Sequence, residues 1–223
     1  MKLSEIVKIS ESPEFRNEVM PRLIRYNDSG DADSSASEQG NVIRNYKIIG
    51  TFWDNGIQAY TMFNKKIPIA HVCIRQFITN GDNIEQLYSY ICTAEFKKHP
   101  TIEKLPYPLS DRLFLQERHI STVPKYEGRG VANHIYAALI SEGYVIVSDE
   151  VHYLGGKQLW KKIARTKKQN YNYLVYVYDV NNNQYISDAS GNPIEYDSTN
   201  ISDNKIWFDG TIGSKYLLVA AGI

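Results

Sequence analysis

The stretch that most constrains the fold is "VPKYEGRGVA", Val123–Ala132, because the hydrophobic period changes across it. Before it, Arg112–Val123 ("RLFLQERHISTV") reads as a long central strand that Pro124 ends. After it, Val131, Ile135, Ala138 and Leu139 share one stripe of a helix over Val131–Glu142, and Gly143 stands where a helix C-terminal glycine belongs. "YVIVSD" follows as a short buried strand, and a helix over Gly156–Lys168 carries Leu159, Trp160 and Ile163. The chain therefore has one βαβ unit at its centre.

Around that unit the pattern is mostly that of strands. "YKIIGTFWD" and "IQAYTMFN" flank Asn55-Gly56, a hairpin dipeptide that tolerates positive φ, and "IPIAHVCIRQF" follows a turn at Asn64–Lys66. These three read as an antiparallel meander. "IEQLYSYICTAEF", Ile84–Phe96, allows a helix, whereas "YNYLVYVYDV" and "KYLLVAAGI" read as two later strands separated by a polar, turn-rich excursion. The expected class is α+β, with a mixed, mostly antiparallel central sheet, a βαβ core and flanking helices.

The amino-terminal part differs. Phe15, Val19, Leu23 and Ile24 recur at helical intervals between Ser12 and Arg25, with Ser12 as N-cap and Pro21 as a kink or stop. "NDSGDADSSASEQGN", Asn27–Asn41, has no large apolar side chain with which to offset its ordering entropy. The expected organisation is a helical segment over 1–26, a linker over 27–42 and one domain over 43–223.

Composition narrows the partners. The 25 basic and 25 acidic side chains cancel, which gives no support to nucleic-acid or anionic-membrane binding. Cys73 and Cys92 are too few for a disulfide framework and lack zinc-ligand spacing, so no metal site is expected and both read as buried thiols of a reducing compartment. No apolar run resembles a signal peptide or reaches the roughly 18 residues of a membrane span, which makes a cytoplasmic location the expectation.

A glycine turn between strand and helix gathers unpaired amides at the positive end of a helix dipole, a ready anion site. Gly128 and Gly130 leave no Cβ in the way. The spacing is not that of a G-x-x-x-x-G-K loop, and Asn133 stands where a dinucleotide fingerprint has its third glycine. A plain turn is the competing explanation.

The segment resembles the central motif of the GNAT superfamily of acyl-CoA-dependent N-acyltransferases, Gln/Arg-x-x-Gly-x-Gly/Ala after a strand and before an amphipathic helix, with Lys125 in the Gln/Arg position. The similarity covers roughly residues 111–180. It implies that Lys125, Tyr126, Glu127, Gly128, Arg129, Gly130 and Val131 hold the pyrophosphate of acetyl-CoA. It also implies that the central strand splays from its neighbour, so that the backbone of Ser121, Thr122 and Val123 pairs with pantetheine.

Strand alternation puts Glu117, His119, Ser121 and Val123 on one face. Some members of the superfamily use a glutamate here as general base through water, which makes Glu117 the first candidate and His119 the second. The same residues also fit a surface ion pair of Glu117 with Arg118 and a structural His119. Many members carry a tyrosine in the following helix that protonates the leaving thiolate. Here Trp160 takes that place, and an indole N–H is no comparable acid. Tyr153, Tyr171 and Tyr173 lie nearby in sequence but outside the motif.

Two functions follow from the resemblance. One is an N-acetyltransferase moving acetyl from acetyl-CoA to an unidentified amine, with the extra segments at 83–110 and 181–205 shaping the acceptor side and a homodimer permitted. The alternative is a catalytically inactive binding or inhibitory protein on the same scaffold, akin to GNAT-like proteins of phage genomes.

Overall fold

A computed structural model describes residues 22–25, 41–42, 45–80, 83–98, 112–151, 154–170, 172–207 and 215–222. In chain order these form β1 (Arg22–Arg25), β2 (Asn41–Val42), β3 (Lys47–Asp54), β4 (Ile57–Asn64), β5 (Ile69–Asn80), β6 (Asn83–Lys97) and β7 (Leu113–Thr122). A 3-10 turn at Pro124–Tyr126 leads into α1 (Val131–Ser141) and β8 (Tyr144–Val147). Then come α2 (Leu154–Asn170), β9 (Tyr173–Asp179), β10 (Gln184–Tyr185), α3 (Asp203–Ile206) and β11 (Tyr216–Gly222). The class is α+β with mostly antiparallel pairing; β1 with β6 and β7 with β8 pair in parallel.

Two compact units divide the chain, one drawing on 4–95 and 120–138, the other on 96–119 and 139–223. The first holds the meander. Asn55 and Gly56 both take positive φ, 49° and 80°, as a two-residue hairpin requires, and β3 to β6 pair antiparallel in sequence order. The first part of α1 lies against this sheet. A Cβ on Gly50 would stand 3.2 Å from the Ala138 Cβ, and the Phe52 ring stacks on His134 at 3.7 Å between centroids. A glycine at 50 lets helix and strand approach this closely.

Two expectations are corrected here. Ile84–Phe96 is no helix but most of the 15-residue strand β6. A bulge explains the misleading period: Val72 faces Cys92 while Cys73 faces Tyr90, leaving Ile91 as an extra residue that shifts the alternation by one. The second correction concerns Arg22–Arg25, the end of the segment read as a helix. It is strand β1, paired parallel to Leu87–Tyr90, because sheet pairing overrides a weak local preference. The helix from Ser12 to Pro21 and the linker over 27–40 lie outside the described residues; Asn41 and Val42 pair with β1.

A polar inlay crosses this sheet. His71 is buried, with Nδ1 2.9 Å from the Thr93 hydroxyl and Nε2 3.3 Å from that of Tyr46, and its ring also lies 5.0 Å from that of Tyr90. Burial holds its pKa down at about 4, against an ordinary 6.5. The unfolded chain therefore takes up a proton near pH 6.5 that the folded chain refuses until about pH 4, so stability is full above pH 6.5 and falls as pH drops towards 4. At about 1.4 kcal/mol per pKa unit the loss approaches roughly 3 kcal/mol. Urea unfolding at pH 7 and pH 4 is expected to show this fall in the wild type and a smaller one in His71→Gln; equal falls in both would remove His71 as its source. Cys73 and Cys92 are free and buried, and burial pushes both thiols up, Cys92 to about 12, which leaves them unreactive near neutrality.

In the second unit β11 lies between β8 and β9, antiparallel to both, and β10 pairs with β9. Val145, Val147, Tyr178, Leu217, Val219 and Ala221 form its core. α2 buries Trp160, Ile163 and Ala164, and the Tyr173 hydroxyl donates to the Ile163 carbonyl at 3.2 Å. Lys157 and Lys161 of α2 reach Asp203 of α3, and Arg165 Nε donates to the Ser198 hydroxyl at 2.8 Å, so the polar excursion is pinned to that helix.

Candidate functional site

Strand β7 carries the candidate residues, and its pairing changes along its length. Leu113, Phe114, Leu115 and Gln116 pair in parallel with Tyr144, Val145, Ile146 and Val147, and among the described residues that ladder stops there. The next residue of the partner, Ser148, is committed elsewhere. Its amide donates to the Leu218 carbonyl at 2.8 Å, its hydroxyl accepts from the Leu218 amide at 2.9 Å, and its carbonyl accepts from Gln116 Nε2 at 3.3 Å. The Gln116 side-chain amide thus binds the residue that follows β8, and β7 runs on through Glu117–Thr122 beyond the four residues of β8.

Glu117 is the first residue beyond the ladder. Its side chain is 5% exposed, and Oε2 accepts from the indole Nε1 of Trp160, itself 0% exposed, at 3.0 Å. Alternation does place Glu117, His119 and Ser121 on one side of the strand, but the first is buried while the other two are exposed. Burial here follows position along the strand: 115–117 are buried on both faces, and 118–119 are exposed. The carboxylate is therefore not part of a surface ion pair. Trp160 spends its one N–H on Glu117, and the Tyr173 hydroxyl is bound to a helix carbonyl, so neither is set to protonate a leaving group. Tyr153 and Tyr171 lie outside the described residues.

The turn belongs to the other unit. Val123 N–H donates at 2.8 Å to the carbonyl of Ile91, the bulged residue of β6, and the Thr122 hydroxyl donates to Cys92 Sγ at 3.3 Å. The bulge therefore supplies the acceptor that fixes the end of the central strand. The amides of Tyr126 and Glu127 close back on Val123 and Pro124 at 2.8 and 3.1 Å. Gly128 and Gly130 take φ of +71° and +80°, which turn the chain into α1.

Residues Lys125, Glu127, Gly128 and Arg129 are exposed, Gly130 is half-buried, and Val123, Tyr126 and Val131 are buried. The Tyr126 ring anchors the turn from below, with Arg129 and Lys125 at 5.3 and 6.0 Å from its centroid, so two cations stand at the turn. A helix leaves its first amides without intrahelical acceptors; here Asn133 N–H returns to the Gly130 carbonyl at 3.0 Å, and those of Val131 and Ala132 precede it.

Three residues of this region were not singled out by the sequence. Gln116 and Ser148 meet just past the parallel ladder, and Ile91 anchors Val123; all three contacts are distant in sequence. Asn133 breaks the dinucleotide fingerprint at the level of the sequence. In the structure it is buried in the first turn of α1, and its Oδ1 has no hydrogen-bond partner among the described residues. Among the described residues, no group of three or more His, Cys, Asp or Glu is placed to hold a metal ion, and no helix is long and apolar enough to cross a membrane.

No protein-family model, no curated protein and no solved structure matches the chain.

Proposed function

We propose that the chain is an acyl-CoA-dependent N-acyltransferase of the GNAT type, moving acetyl from acetyl-CoA to an amine. The observation that carries this is that the β7–β8 ladder ends at Gln116 and Val147, where β8 itself ends, while β7 runs on to Thr122 and into a turn with two left-handed glycines and then a helix. A strand end free of its parallel neighbour offers backbone groups to an extended ligand such as pantetheine. The turn brings helix-end amides with Lys125 and Arg129 to an anion such as pyrophosphate. Asn133 Oδ1 adds a buried acceptor for a ligand N–H or O–H.

In the proposed reaction the acceptor nitrogen attacks the thioester carbon and a backbone amide holds the oxyanion. The C–S bond then breaks, and the ammonium proton passes through water to Glu117 or, failing that, to His119. Titration calorimetry with acetyl-CoA tests the proposal most directly. Saturable binding in the micromolar range is expected, and no heat at millimolar acetyl-CoA would refute it.

The buried indole–carboxylate bond favours a second function, a coenzyme-binding scaffold without turnover, since Glu117 is enclosed and Trp160 cannot stand in for a tyrosine acid. Binding of acetyl-CoA with no release of free thiol across a panel of small amines, aminoglycosides and peptide amino termini would select it. Turnover on any of them that falls about a hundredfold in Glu117→Gln selects the enzyme and its base.

A further inference from the structure

We infer that Trp160 is a positioning residue for Glu117, its indole N–H orienting the carboxylate that serves the transfer proposed above. This rests on the acyltransferase function, but its physical content is local. Trp160 and Glu117 are 43 residues apart in sequence, on α2 and β7, and meet in a bond of 3.0 Å with both side chains buried. An enclosed carboxylate needs hydrogen-bond donors, and a bond to a charged acceptor is stronger and more directional than one between neutral groups.

Indole suits the task for two reasons. It donates and never accepts, so it cannot exchange roles with the carboxyl group, and its rigid ring is fully buried. The departure from the superfamily's tyrosine then has a function of its own: the helix donor is turned from a leaving group to the base. Gln116, the preceding residue, holds the adjacent end of β8 through Ser148, so the strand backbone that carries Glu117 is tied on that side as well.

Trp160→Phe deletes the donor and keeps most of the ring. On an amine substrate this variant is expected to bind acetyl-CoA within about twofold of wild type, to keep its KM, and to lose about tenfold in kcat, the effect of one hydrogen bond to a charged group. In a Glu117→Gln background the same change is expected to have little further effect, because the two residues act as one unit. Proton NMR supplies a readout without turnover: the Trp160 indole N–H, identified by its absence in Trp160→Phe, is expected at low field and to move upfield in Glu117→Gln. An equal kcat loss in both backgrounds, or an indole resonance indifferent to Glu117→Gln, overturns the inference. Failure to bind acetyl-CoA would sink the acyltransferase function instead, and the NMR comparison, which needs neither coenzyme nor substrate, would still decide whether the indole holds the carboxylate.

Discussion

Replacing Trp160 by alanine is expected to lower the unfolding free energy by about 4 kcal/mol. The indole is 0% exposed and is the largest fully buried side chain, so its removal leaves a cavity that the packed face of α2 cannot close. That figure includes a second loss. Glu117 stays buried without the donor that meets Oε2, and an enclosed carboxylate deprived of a hydrogen bond costs about 1–3 kcal/mol. Trp160→Phe keeps most of the packing and is expected to lose about half as much. Urea denaturation followed by far-UV circular dichroism measures both; an alanine variant within 1 kcal/mol of wild type would mean that the indole is not the packing centre described here.

The second large effect is on ligand binding. Gly128 has φ +71°, a conformation that costs a residue with a Cβ about 1–2 kcal/mol, yet a Cβ there would meet no atom within 4 Å. Gly128→Val should therefore fold, with a modest stability loss from the backbone alone. Its affinity for acetyl-CoA is expected to fall at least tenfold, because relief of the strain redirects the amides of the turn and the new side chain occupies the space before them. Gly143 provides the control: it has φ +90°, also has no atom within 4 Å of a Cβ, and lies at the other end of α1. Gly143→Val should lose similar stability and no affinity. Equal affinity losses in the two variants, or none in either, would refute the assignment of the turn as a coenzyme cradle.

Much of the scaffold was legible because local chemistry and tertiary structure agree. Asn55-Gly56 demands a hairpin, Val131–Leu139 has a helix stripe, and the tetrapeptide Tyr144–Val147 is apolar throughout and buried throughout. Where they disagree, periodicity misled. β6 buries Leu87, Ser89 and Ile91 before the shift in register and Cys92, Ala94 and Phe96 after it, because the extra residue moves the alternation by one. That break hides the period of two from a reading of the sequence. Leu23 and Ile24 suit either structure, and pairing with β6 makes them a strand.

The candidate site divides in the same way. By itself the sequence determined the turn: Pro124 ends a strand, Gly128 and Gly130 take conformations open to glycine, and Val131 begins a helix, all within bonds of short sequence separation. It also determined which residues share a face of β7. Only the tertiary structure decided their surroundings. Glu117 is enclosed where a tryptophan 43 residues away meets it, and beyond the last β7–β8 pair Ser148 is held by Leu218, 70 residues further along the chain. Hydrogen-bond partners and burial are set by what packs against a residue from elsewhere in the chain, and no local pattern records that.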